Sequence, residues 1–124
     1  MPQDDKGRYV PDAETLAAAA VASAARTTTG TGSAFSTAGV DNIIGVLTVT
    51  AASGTTPTLD VTLETTADGT NYYTVGSFVQ KTGTATADSK VFGDLGSSSR
   101  WKWTIAGTTP SFTFAITASA DRDS

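Results

Sequence analysis

From Ile43 onward the chain alternates between apolar and polar positions with a period of two, the spacing of a strand with one face in a core. "NIIGVLTVTA" places Ile43, Gly45, Leu47 and Val49 on one face and Ile44 and Val46 on the other. A strand apolar on both faces is central in its sheet or covered by a partner. "TLDVTLET" sends Leu59, Val61 and Leu63 inward and Asp60, Thr62 and Glu64 outward. After "ADGT", whose Asp-Gly pair suits a tight hairpin, "NYYTVGSFVQ" returns with Tyr72 and Tyr73 on opposite faces. "KVFGDL" predicts a short strand. "RWKWTIA" turns Trp101, Trp103 and Ile105 inward, and "SFTFAITA" does the same with Phe112, Phe114 and Ile116. The clusters "SGTTP" and "GTTP" predict chain-reversing turns, and "KTGTATADS" a long polar loop. No internal repeat stands out.

Upstream the pattern fails. Residues 1–25 hold six charged residues and an alanine run but almost no large apolar side chain. Asp12 could cap a short helix from Ala13 to Ala25, with only Leu16 and Val21 to bury. Phe35 is the one large anchor between Ala25 and Asn42, which predicts a first strand near Gly32–Thr37. About seven short strands with turns every 8–12 residues predict an all-β fold. The expected form is an antiparallel β-sandwich, immunoglobulin-like or jelly-roll, with an extended or partly helical N-terminal arm. The divisions are an arm over 1–30, a β-sandwich domain over 31–120 and a disordered tail over 121–124.

Composition narrows the chemistry. The 124 residues carry a net charge of −4, and the basic side chains are scattered. Nucleic-acid surfaces need clustered Lys and Arg, so no nucleic-acid partner is expected. No segment is long and apolar enough to span a membrane. "LAAAAVASAA" ends like a signal peptide, but the stretch before it is more acidic than basic, which reads against secretion. There is no cysteine and no histidine. A disulfide framework, a zinc site of the usual kind and every Ser-His or Cys-His pairing are therefore absent from the sequence.

Candidate catalytic groups are weak. Asp60 and Glu64 lie about 13 Å apart along a strand, beyond the roughly 5–9.5 Å of glycosidase carboxyl pairs. They read as two solvated charges on an outer face. Asp88 and Asp94 are too isolated for a calcium loop. No metal, cofactor or catalytic residue is expected, and the chain reads as a non-enzyme.

The strings "TPTLDVTLETTADGTNYYTVGSF" and "VFGDLGSSSRWKWTIAGTTPSFTFAITASADR" resemble small β-sandwich proteins from the structural gene cluster of tailed bacteriophages, over about Ile43 to Arg122. The resemblance implies a head decoration (cement) or minor capsid protein. Such a protein is made in the host cytoplasm and resides on the capsid surface of the virion. Its implied partners are the major capsid protein of a phage shell and copies of itself, a trimer before other oligomers. The candidate partner-binding residues are Tyr9, Leu16, Val21, Arg26 and Tyr72. Two alternatives stand beside it: a phage tail-tube or tail-associated protein, and a carbohydrate-binding or adhesion module resting on Trp101, Trp103 and the tyrosines.

Overall fold

The computed structural model describes residues 12–15 and 19–122. Eight strands make up this part: β1 (Asp12–Thr15), β2 (Val21–Arg26), β3 (Gly30–Thr31), β4 (Phe35–Ser36), β5 (Val40–Thr66), β6 (Tyr72–Ser77), β7 (Ala85–Phe92) and β8 (Ser98–Arg122). All pairings are antiparallel. The fold is all-β, as the period-two pattern predicts.

Two long strands organise everything else. β5 and β8 pair from Val40 opposite Arg122 to Thr66 opposite Ser98. The leading chain runs along the other edge of β8, with Asp12 opposite Arg122, Val21 opposite Ile116, Gly30 opposite Trp103 and Phe35 opposite Ser99. β7 and then β6 line the remaining edge of β5, with Ile43 opposite Phe92 and Thr62 opposite Ser77. Four lanes of backbone therefore lie side by side and double over together.

The doubling happens at the two clusters read as turns, and here the structure corrects the sequence. "SGTTP" and "GTTP" do not reverse the chain; each bends one strand and lets it continue. Gly54 (φ 111°) and Gly107 (φ 123°) adopt backbone conformations open to glycine, and Thr56 and Thr109 both have φ 46°. The contacts are reciprocal. A Cβ on Gly54 would lie 2.7 Å from the Thr109 carbonyl oxygen, and one on Gly107 would lie 2.9 Å from that of Thr56. Gly54-Thr55-Thr56-Pro57 and Gly107-Thr108-Thr109-Pro110 are thus a short internal repeat, visible once the two bends are seen abreast.

Beyond the bends the two halves face each other as a sandwich. Trp103, from the half that holds β3 and β4, meets Phe114 edge to face at 5.5 Å. Trp101 meets Phe92 in the same way at 5.4 Å. The halves approach so closely that a Cβ on Gly45 would lie 2.8 Å from the Trp101 ring. Ile43, Leu47, Val49, Leu59, Val61, Leu63, Phe112 and Ile116 fill the interior, each on the face the alternation assigns it. Aromatic and branched side chains carry most of the burial that holds such a core.

Other readings change as well. The helix expected over Ala13–Ala25 is replaced, where the chain is described, by β1 and β2. Alanine favours helix by less than about 1 kcal/mol per residue and a short helix nucleates poorly. The edge of β8 instead offers a full row of backbone partners to this small-residue segment. β7 begins at Ala85, inside the segment read as a polar loop. β8 runs on to Arg122, so Asp121 and Arg122 pair within the sheet; residues 123–124 lie outside the described residues.

Candidate functional site

The period-two pattern of β8 puts both tryptophans inside, and the leading chain closes over them. The Trp101 indole N–H donates to the Ala19 carbonyl at 2.8 Å. That bond ties the segment after β1 to the core, where Ala19 is itself buried. Gly30 and Gly32 leave room for the chain to cross Trp103: a Cβ at Gly30 would lie 3.1 Å from the indole nitrogen. Between these elements lies a cavity of about 310 Å³, lined by Ala19–Val21, Arg26, Thr31–Ser33 and the two indoles.

Arg26 enters this cavity wall from the end of β2. Its guanidinium carbon sits 5.0 Å from the centre of the Trp103 ring and 4.5 Å from that of Phe114. Nη1 donates to the carbonyls of Ala24 at 3.0 Å and Phe114 at 3.1 Å, and Nη2 to that of Ala22 at 3.0 Å. Burial lowers its pKa from the ordinary arginine value, because a less hydrated charge is less stable. Among the described residues no carboxylate pairs with it.

A second aromatic-arginine stack lies on the outer face of the other half. Arg100 covers the Tyr72 ring at 3.8 Å and donates through Nε to Glu64 at 2.9 Å. Glu64 is buried here, against the expectation of a solvated charge. A bulge between Leu63 and Glu64, with Arg100 laid over it, accounts for the difference. Asp60 stays on the outer face and accepts from Gln80 at 2.9 Å. Asp88 pairs with Lys81. Among the described residues no group of three or more His, Cys, Asp or Glu could hold a metal ion.

The turn after β5 is closed by Asp68. Its carboxylate accepts from the backbone N–H groups of Asn71 and Thr70, both at 2.8 Å, and from the side chains of Asn71 and Thr66. These donors hold its pKa well below the usual carboxylate range. Thr37, Thr65 and Ser99 form a buried hydroxyl cluster linked at 3.0 Å. No buried side-chain nitrogen or oxygen among the described residues lacks a partner.

Of the residues singled out in the sequence, Val21 and Arg26 come together at the cavity. Tyr72 does not line it and stacks under Arg100 instead. Tyr9 and Leu16 lie outside the described residues. The contribution of Thr31–Ser33 escaped the sequence reading; its signal is the "GTGS" run, glycines that let a strand pass close to an indole. Ile44 and Val91 face each other across β5 and β7 on the outer surface, 42% and 60% exposed.

No family model and no curated protein matches the chain. Among solved structures it is similar to the SPBc2 prophage-derived protein YomS, with 11% sequence identity and a TM-score of 0.49 over 89% of this chain and 96% of that one.

Proposed function

We propose that this chain is a non-enzymatic virion structural protein that binds the outer surface of a bacteriophage capsid and stabilises it. The leading segment aids attachment, and the protein acts as a small oligomer, a trimer before other states. The resemblance of Ile43–Arg122 to phage structural β-sandwiches motivates the reading. The observation that carries it is the exposed Ile44–Val91 pair, continued by half-buried Val46 and flanked by Thr48, Ser89, Thr117 and Ser119 on the same face. A contiguous apolar patch rimmed by polar groups is the form of a protein contact surface. A chain without His or Cys supports a role without catalysis. The tryptophans invoked for sugar stacking are both buried, which takes the main support from the carbohydrate alternative.

Co-sedimentation with expanded, undecorated capsids tests the proposal. The full chain is expected to pellet with the shells, and an Ile44→Asp, Val91→Asp variant to stay in solution while remaining folded. Removal of residues 1–11 tests the arm. A longer deletion would strip β1 and the chain around Ala19 from the sheet and core, and so confound attachment with unfolding. Binding to tails in place of heads, or equal capsid binding by the double variant, would overturn the reading.

A further inference from the structure

The cavity beside Arg26 has the makings of a small-ligand site that capsid attachment does not call on. Its volume of about 310 Å³ is in the range where ligand pockets begin. Its walls combine two indoles, the small apolar run Ala19–Val21 and the hydroxyl-bearing Thr31 and Ser33. Among the described residues that line it, Arg26 carries the formal charge.

That guanidinium is oriented, and no carboxylate among the described residues answers it. Stacking on Trp103 and Phe114 and three carbonyl bonds fix its plane. Those bonds engage Nη1 twice and Nη2 once. Nε donates to no acceptor among the described residues, and Nη2 donates to one. An Nε–Nη edge is the planar fork that grips a carboxylate through two parallel bonds. Arg100 already gives its Nε to a carboxylate, that of Glu64, through a single bond. A single cation beside a lining that is more polar than apolar suits a singly charged, planar anion better than a phosphate dianion, which draws more than one cation.

We propose that the cavity binds a small carboxylate, with the carboxylate on Arg26 and the body between the Trp103 edge and the Thr31 and Ser33 hydroxyls. The carboxylate can come from a free organic acid or from the C-terminus of a polypeptide; the recognition chemistry is the same.

Both tryptophans of the chain line the cavity, so tryptophan emission, excited selectively over the tyrosines, reports on their surroundings there. The probes are phenylacetate and acetyl-glycyl-leucine, each beside its amide, titrated into the full chain. Both acids are expected to give saturable fluorescence changes. The amides and the Arg26→Gln variant should bind weaker by about tenfold or more, the loss of a charge-assisted pair. Because Arg26 also anchors β2, Gly32→Val supplies an independent variant. A Cβ at Gly32 meets Trp103 and Val21 at an ordinary 3.7 Å, and an unchanged urea midpoint will show that the two further methyls leave the fold intact while the cavity narrows and binding falls. Tighter binding of the peptide acid supports a polypeptide terminus as the source, and tighter binding of phenylacetate a free acid. Amides that bind as well as acids, binding undiminished in Gly32→Val, or no response to either acid up to about 10 mM would overturn the proposal.

Discussion

Arg100 and Arg26 both lie on aromatic rings, and the fold treats them in opposite ways. Arg100 is laid over Tyr72 and closed by Glu64 at 2.9 Å, so cation and anion are both accounted for within the protein. Arg26 is laid over Trp103 and Phe114 and held by carbonyl dipoles, with its charge unmatched among the described residues. The first arrangement is complete as it stands. The second keeps a partly desolvated cation beside an open cavity. Aromatic stacking alone therefore does not tell a structural arginine from a recognition arginine; the anion count does.

The largest effect is expected where the cavity wall is also core. Trp101→Ala should cost about 3–5 kcal/mol, measured as a shift of the urea midpoint, because it removes a fully buried indole and its bond to Ala19. Tyr72→Ala, in the half-exposed stack, should cost less than about 1 kcal/mol.

Glu64→Gln comes next, at about 1–2 kcal/mol, since it leaves Arg100 with a neutral partner in a partly buried place. A double-mutant cycle with Arg100→Gln should recover part of that loss. Purely additive costs would mean the pair is not coupled.

Arg26→Gln should cost about 1 kcal/mol, from lost stacking and carbonyl bonds. A loss larger than that of Glu64→Gln would show that this cation is answered within the protein after all.

The smallest effect concerns Asp68, an anion held by neutral donors as Arg26 is a cation held by neutral acceptors. Its folded pKa is depressed, so its contribution is fully present above the unfolded value of 3.8 and fades as the pH falls below it toward the folded value. Stability measured down through pH 3 should decline, and Asp68→Asn should flatten part of that decline.

The alternation of Leu59, Val61 and Leu63, of Trp101 and Trp103, and of Phe112, Phe114 and Ile116 was enough to assign an all-β fold and most of its core. Side-chain period is a local property, so it survives without knowledge of partners. Residues Gly54–Pro57 and Gly107–Pro110 were legible as sharp bends and not as what they connect. A positive φ and a proline redirect the chain equally well in a hairpin and in a strand that folds over beside a second bent strand. The cavity was less legible still. Val21 and Arg26 drew notice as binding residues, but Thr31–Ser33 has no apolar pattern to read.

From the sequence alone followed which side chains face inward, that the fold is β, and that histidine and cysteine chemistry is absent. Tertiary structure alone decided that the leading chain pairs with β8, that Glu64 is buried under Arg100 and that Arg26 meets two indoles beside a cavity. These depend on contacts between residues some 35–90 positions apart, whose backbone donors and acceptors are alike in every residue and so leave no mark in the order of side chains.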